Sequence, residues 1–198
     1  PALQGEVVGT VAALEGALQD IYARVNPAVV SIQVIGGTLP GFDEEMLPGL
    51  PQIPQSPERR PRMGQGSGFV WDEAGHLVTN HHVIEGAETI YVEFADGTLM
   101  EAEVAGEDPE SDLAVLSVEP PANFDWPAPL TLAEAGDLAV GQLAIAIGNP
   151  FGEEGTMTLG IISGLGRLLP NGEGVTLGRY SIPDIIQTDA SVNRSEER

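Results

Sequence analysis

The chain of 198 residues contains no cysteine, and its 30 acidic residues face only eight basic ones, all of them arginines. Without cysteine there is no disulfide framework, no cysteine-ligated zinc and no thiol nucleophile. The formal charge of −22 repels nucleic acid and anionic membrane surfaces, so we expect neither as a partner. No apolar run reaches the ~20 residues that span a bilayer.

The composition that remains is typical of a folded chain. Hydrophobic residues make up 42%, and 25 glycines with 16 prolines indicate a loop-rich protein built mainly of β-structure. The length allows one large domain or two small ones. The chain opens at Pro1 without a methionine, so we expect that an upstream segment, such as a signal, has been removed.

The N-terminal segment, 1–25, carries the pattern of an amphipathic helix. Leu14, Leu18 and Val25 are among the apolar residues that follow the spacing of one helix face from residue 11 onward. Asn26-Pro27 should end this helix, because the residue before a proline is disfavoured in the helical conformation.

Two β-rich regions follow, one over 26–119 and one over 120–198, with prolines at their boundary. Short apolar runs bounded by turn signals predict strands in antiparallel arrangement. The predicted strands are 28–35, 67–71, 76–79, 89–94, 99–105 and 113–118 in the first region, and 142–147, 155–165 and 185–191 in the second. The segment 39–63 contains six prolines and has no period, which predicts a long loop.

Two polar residues stand at strand ends in the first region. His82 follows the strand that ends at Thr79, with Asn80 and His81 as polar neighbours, and Asp112 opens a later strand. Singly, such a histidine is more often a solvated turn residue, and such an aspartate can be a simple cap. Together they are two parts of a base-activated serine device, in which a carboxylate orients an imidazole.

Two other kinds of site fit less well. Gly64-Gln65-Gly66-Ser67-Gly68 is similar to a phosphate-binding loop, but no helix pattern follows it and the required lysine is absent. A close-packed strand entry is the better interpretation. A metal site of His76, His81 and His82 is disfavoured, because adjacent side chains in an extended segment point to opposite faces. We therefore expect no metal and no cofactor.

Six motifs follow one another along the chain: Gly66-Ser67-Gly68-Phe69-Val70, His76-Leu77-Val78-Thr79-Asn80-His81-His82-Val83, Ser111-Asp112-Leu113-Ala114-Val115-Leu116, Ala146-Ile147-Gly148-Asn149-Pro150-Phe151-Gly152, Gly160-Ile161-Ile162-Ser163-Gly164-Leu165-Gly166-Arg167, and Ile186-Gln187-Thr188-Asp189-Ala190-Ser191-Val192-Asn193. In this order they resemble the HtrA/Deg family of trypsin-like serine proteases, and the likeness covers roughly residues 12–194.

The resemblance implies an all-β, chymotrypsin-like fold of two six-stranded antiparallel barrels with a short N-terminal helix and the active site between the barrels. It implies that His82 is the general base, that Asp112 orients it, and that Arg167 opens a regulatory sensor loop. It further implies cleavage of unfolded or exposed polypeptides in protein quality control outside the cytoplasm. For the full-length parent it implies a homotrimer and a C-terminal PDZ domain.

The sequence departs from the family at the nucleophile. After Asp189-Ala190 and an asparagine, the family continues through Gly-Asn-Ser-Gly-Gly. Here Asn193-Arg194 fits, but Ser195-Glu196-Glu197 follows, so Glu197 stands where the serine is expected. Ser195 lies two positions early and lacks the flanking glycines. We therefore expect a fragment with an incomplete second barrel, inactive as given. The alternative is a catalytically dead protease-fold module that binds peptides or serves as a scaffold.

Overall fold

The computed structural model describes residues 2–36, 63–148, 155–170 and 181–192. It begins with helix α1 (Ala2–Val25), which ends where Asn26–Ala28 forms a single 3-10 turn with a proline at its start. The predicted helix is correct in place but wrong in length, since it extends nine residues further toward the N-terminus, from residue 11 to Ala2. Neither α1 nor any other helix in the described ranges is long and apolar enough to cross a membrane.

Six antiparallel strands close into a barrel. They are β1 (Val29–Ile35), β2 (Met63–Val70), β3 (His76–Thr79), β4 (Thr89–Glu93), β5 (Leu99–Asp108) and β6 (Leu113–Val118). Their order around the barrel is β1-β2-β3-β6-β5-β4. The pairing of β1 with β4, from Ser31 opposite Glu93 to Ile35 opposite Thr89, closes the barrel. The proline-rich segment between β1 and β2 lies outside the described residues, except for its last residue.

The barrel interior is filled by the inward face of each strand. Val30, Ile32, Leu77, Val92 and Leu116 belong to one core cluster, and none of these five side chains has exposed surface. They alternate with more exposed residues along β3, β4 and β6, as the period of a strand with one buried face requires. Burial of this apolar surface is the main stabilising contribution to the barrel.

Aromatic side chains pack the segment after β6 against the barrel. Phe94, Phe124 and Trp126 pack edge to face, with ring centroids 4.9, 5.5 and 5.8 Å apart. Trp126 Nε1 also donates a hydrogen bond of 2.8 Å to the carbonyl of Asp72. This hydrogen bond pairs the one polar atom of the Trp126 indole, while the indole rings pack over the core.

A second, open sheet follows the barrel. Its strands β7 (Leu143–Gly148), β8 (Thr156–Pro170) and β9 (Ser181–Thr188) are antiparallel and hydrogen-bonded in that order. Large apolar side chains on this sheet are exposed, among them Leu143, Leu159, Ile161, Leu165 and Ile186. In the described part of the second β-region, the apolar side chains are therefore much less buried than those of the barrel.

The predicted all-β class is confirmed by a closed barrel, an open sheet and an N-terminal helix. A short helix, α2 (His81–Ile84), was not predicted. It is a single turn, and a helix of that length is too short to show a hydrophobic period. The division into 1–25, 26–119 and 120–198 stays a prediction.

Candidate active site

The pairing of β3 with β6 brings the two halves of the predicted site together. Its register ends with Thr79 opposite Ala114. Because the strands are antiparallel, the residues that follow β3 and the residue that precedes β6 lie at the same edge of the barrel. His82, in helix α2, and Asp112 therefore meet there although they are 30 positions apart in the chain.

The carboxylate of Asp112 contacts His82 at two atoms. Its Oδ2 and Oδ1 lie 2.8 and 3.0 Å from His82 Nδ1, and Oδ1 also accepts the backbone N–H of His82 at 2.9 Å. The two side chains are 34% and 38% exposed, so both remain partly accessible to solvent. With Nδ1 facing the carboxylate, Nε2 points away from it, as an oriented general base requires.

A third side chain belongs to this arrangement. Asn80 donates from its amide to the carbonyl of Asp112 at 3.0 Å and to the Asp112 carboxylate at 3.2 Å. The sequence alone indicates for Asn80 no more than a polar neighbour of His82. Its position was nevertheless a signal, because a residue directly after β3 must lie beside the residue directly before β6.

The pKa of the Asp112 carboxyl lies below its ordinary value of 3.8. Partial burial by itself would raise this pKa. The hydrogen bonds from the backbone and the ring of His82 outweigh that effect, and the charges of His82 and His81 lower it further. The carboxylate is thus held in its charged form, which is the form that can orient an imidazole.

We expect acid to weaken the folded state through this group. Because the folded-state pKa of Asp112 is depressed, its contribution to stability is present above the ordinary value of 3.8 and is lost as pH falls through the lower folded-state pKa.

Replacing His82→Ala should raise the pKa of Asp112, since the ring hydrogen bond and the nearby positive charge are removed. A carboxyl ¹³C NMR titration of the two proteins measures this change.

The control for that titration is a second carboxylate in the same chain. The pKa of Asp72 is also lowered, chiefly by the side-chain hydrogen bond from His76. Asp72 does not contact His82, so its titration should be identical in both proteins. A His82→Ala protein in which Asp112 titrates as before would contradict the contact.

The three histidines face three different carboxylates. His76 Nδ1 lies 2.7 Å from Asp72 Oδ2, and His81 Nε2 lies 3.6 Å from Glu107 Oε2. His81 and His82 lie in helix α2 and not in an extended segment, so the sequence argument about opposite strand faces was wrong. Consecutive helix residues still point about 100° apart, which separates the two rings.

An apolar cavity of about 430 Å³ is lined in part by Asn80 and by Leu113, the neighbour of Asp112 in the chain, whereas His82 and Asp112 themselves do not line it. Helix α1, strands β1 to β3 and strand β7 all contribute to its walls. The larger apolar residues of these walls are Ile21, Val25, Val29, Phe69, Val78, Leu130, Ile145 and Ile147. The candidate site therefore borders the space between the barrel and the second sheet.

Comparison with known proteins identifies the family of the chain. The trypsin-like peptidase domain family matches residues 66–195, a range that contains both His82 and Asp112. The chloroplast protein Protease Do-like 1 of Arabidopsis thaliana is 42% identical over 173 residues, which are 87% of this chain and 35% of that protein. The chain belongs to the HtrA/Deg family of trypsin-like serine proteases.

Bacterial members of the HtrA/Deg family match as well. The periplasmic serine endoprotease DegP of Salmonella typhimurium is 35% identical over 203 residues, or 89% of this chain and 41% of DegP. The chain spans about a third to a half of the length of the curated relatives it matches.

Solved HtrA/Deg structures have the same fold. The crystal structure of Deg5 gives a TM-score of 0.66 at 35% identity, over 91% of this chain and 76% of that one. The HtrA-type protease AlgW with a tripeptide gives 0.63 at 33% identity, over 86% of this chain and 45% of that one. The chymotrypsin-like class predicted from the motifs is thereby confirmed.

Other residues assigned from the HtrA/Deg motifs lie in the second β-region. Arg167 is exposed on β8, where it pairs with Ile185 of β9. Its regulatory role stays a prediction, and the sensor loop that it would open, 171–180, lies outside the described residues. Glu197, at the position expected for the nucleophile, lies outside them too.

The segment that leads toward Glu197 is described as far as residue 192. Asp189 Oδ1 accepts the backbone N–H of Ile161 at 2.7 Å, and Ala190 is buried. A Cβ atom at Gly160 would lie only 2.3 Å from the backbone nitrogen of Ala190. Glycine at 160 therefore lets the chain approach β8 closely just before the nucleophile position.

A buried glycine beneath helix α2 offers a test of how firmly His82 is held. A Cβ atom at Gly66 would lie 2.5 and 2.6 Å from the two γ-carbons of Val83, the neighbour of His82. Gly66→Ala should therefore displace α2 and lower the free energy of unfolding by about 1–3 kcal/mol. Urea denaturation measures the loss.

Gly106→Ala is the matched control, because nothing lies within 4 Å of a Cβ atom at that position. Its unfolding free energy should stay within about 0.5 kcal/mol of the unmodified protein. Equal stability of the two variants would show that the Val83 side chain moves aside without a cost in unfolding free energy. It would also show that packing against Gly66 does not hold α2 in position.

Proposed function

We propose that this chain supplies the general base and the orienting carboxylate of a serine endopeptidase. His82 is the base and Asp112 orients it. The observation that supports this best is the 2.8 Å contact between His82 Nδ1 and Asp112 Oδ2, at the barrel edge beside the cavity. Membership of the HtrA/Deg family supports the same roles, because its relatives include serine endoproteases.

In the proposed reaction, a serine hydroxyl attacks the carbonyl of the scissile peptide bond. His82 Nε2 accepts the hydroxyl proton as the oxygen–carbon bond forms, and the resulting imidazolium gives that proton to the leaving amine as the carbon–nitrogen bond breaks. A water molecule then hydrolyses the acyl-enzyme by the same proton path. Asp112 keeps its charge throughout, holds Nδ1 protonated and stabilises the imidazolium.

The proposed substrates are unfolded or exposed polypeptides. The net charge of −22 favours basic or neutral segments over acidic ones. We also propose, from the family alone, that the full-length protein is a homotrimer with a C-terminal PDZ domain and acts outside the cytoplasm, in quality control. Of the relatives named above, Protease Do-like 1 is chloroplastic and DegP is periplasmic.

The experiment that tests the proposal begins with the coding sequence beyond the codon for Arg198. An in-frame Gly-Asn-Ser-Gly-Gly segment would supply the nucleophile, and the longer gene product should then cleave casein and react with a fluorophosphonate probe. Mass spectrometry should place the label on the serine of that segment. A longer product that contains the segment and binds no probe would overturn the proposal.

The second candidate function is a protease-fold module that binds peptides without cutting them. The presence of Glu197 at the serine position favours it. The retention of His82 and Asp112 in hydrogen-bond contact argues against it, because peptide binding alone does not need an oriented base. A stop codon after Arg198, together with measurable binding of an unfolded polypeptide by the purified chain, would favour this second candidate.

A further inference from the structure

Asn80 stands where a helix cap is expected, yet it does not cap. It is the residue that precedes helix α2, and asparagine is among the residues preferred at that position. Its side chain makes no hydrogen bond to the backbone of the helix. The backbone N–H of His82, in the first turn, is instead accepted by Asp112 Oδ1 at 2.9 Å, from a residue 30 positions away.

The amide of Asn80 turns to Asp112 and contacts it at two different places. Nδ2 lies 3.0 Å from the backbone carbonyl of Asp112 and 3.2 Å from its carboxylate Oδ2. A side-chain amide nitrogen carries two hydrogens, so one nitrogen can serve both acceptors. The opposite amide orientation would place an oxygen against two oxygens, which fixes the choice between the two orientations.

The backbone of Asp112 is in a conformation that needs such support. Its φ of 54° lies in the left-handed region, which residues with a side chain rarely occupy. Strained residues of this kind persist only where their surroundings hold them, and they are concentrated at functional sites. A donor that binds both the carbonyl and the carboxylate of one residue restrains its backbone and its side chain together.

We propose that Asn80 is a positioning residue, which holds Asp112 in its left-handed conformation with the carboxylate turned toward His82 Nδ1. The proposal rests on the function proposed above, because positioning matters only if His82 acts as the base. Asn80 does not touch the reacting atoms in this role. It acts through Asp112. A residue that served only as a helix cap, or only as a solvated polar residue, would not act through Asp112.

The test uses the 198-residue chain, with Asn80→Ala and Asn80→Asp as variants. Asn80→Ala removes both donors without adding charge, so Asp112 should lose part of its contact with His82 and its pKa should rise. Carboxyl ¹³C NMR measures this titration, and the ring N–H resonance of His82 should weaken in parallel. A variant in which both signals match the unmodified protein would overturn the proposal.

Asn80→Asp separates positioning from capping. Aspartate caps a helix as well as asparagine does, so a capping role predicts unchanged stability. In the proposed role, aspartate cannot donate and places acceptor oxygens against the carbonyl and carboxylate of Asp112, so this variant should be less stable than Asn80→Ala. Asn123→Asp, at an exposed residue after β6, is the control for the added charge and should leave Asp112 unchanged. If Asn80→Asp does not fold, the Asn80→Ala titration decides.

Kinetics of the longer gene product distinguish this inference from the proposed function. Asn80→Ala should lower kcat by about 10²-fold with little change in KM, as expected when a catalytic group is displaced but substrate contacts remain. A His82→Ala protein with full activity would contradict the proposed function. An Asn80→Ala protein with full activity would contradict only the positioning role of Asn80.

Discussion

Purified as the 198-residue polypeptide, the chain is expected to show no serine-protease activity. Glu197 stands where the family carries the nucleophile, and a carboxylate there cannot form the acyl-enzyme that the His82–Asp112 pair would support. Ser195-Glu196 also replaces the Gly-Asn that precedes the serine. The family forms its oxyanion hole from backbone N–H groups at and just before the serine. Ser195 lacks the conformational freedom of the glycine that the family carries at that position, so we expect poorer stabilisation of the oxyanion.

The measurement is an incubation with unfolded casein and with a fluorophosphonate probe. The longer gene product, where it contains Gly-Asn-Ser-Gly-Gly, serves as the positive control under the same conditions. Labelling of Ser195 that His82→Ala abolishes would contradict the prediction. It would mean that the segment after residue 192 brings Ser195 to the base by a route that the family motif does not foresee.

In the longer gene product, His82→Ala is expected to lower kcat/KM by about 10⁴-fold or more. The base is lost, so the serine hydroxyl is no longer deprotonated as it attacks. Asp112→Asn should have a loss of similar size, since an amide opposite Nδ1 favours the wrong tautomer of the imidazole. The two losses should not add, because base and carboxylate act as one unit. Steady-state hydrolysis of a fluorogenic peptide measures each variant and the double variant.

The chain contains its own control for these substitutions. His76 and Asp72 form a second pair, with Nδ1 and Oδ2 at 2.7 Å and a backbone hydrogen bond of 3.1 Å from His76 to Asp72 Oδ1. This pair has nearly the same contacts as His82 and Asp112 but lies within one hairpin, four positions apart. His76→Ala should therefore leave kcat/KM unchanged. Equal losses at His76 and His82 would indicate a general effect of histidine removal on folding.

The candidate pair could be predicted because its two members carry positional signals. His82 follows β3 and Asp112 precedes β6, and antiparallel pairing of those strands would bring the two ends together. What the sequence did not predict is helix α2, which turns His82 toward the carboxylate. A single helical turn has no repeating apolar pattern, and its first-turn N–H is satisfied by Asp112, a residue distant in sequence. The turn is held both by its own backbone hydrogen bond, from the N–H of Glu85 to the carbonyl of His81, and by this tertiary contact.

The position of Asn80 directly after β3 indicates only that it lies near Asp112, and its two hydrogen bonds to that residue depend on the tertiary structure. From its neighbours in the sequence Asn80 is only a polar residue after a strand, and Asp112 is only the residue that opens the predicted strand 113–118. The positive φ of Asp112 and the two donors that hold it depend on the register of β3 against β6. A change of register by one residue would separate Asn80 from Asp112 while leaving each local pattern intact.

The sequence by itself determined the strand pattern, the absence of cysteine and lysine chemistry, the acidic surface and the identity of the candidate pair. These depend on composition, on motif order and on a side-chain period of two, all of which are local properties. The tertiary structure determined that the barrel closes and where helix α2 forms. It also determined the backbone conformation of Asp112 and which atoms the Asn80 amide contacts. Each of these depends on contacts between residues far apart in the chain, and such contacts exist only once the strands have paired in one register.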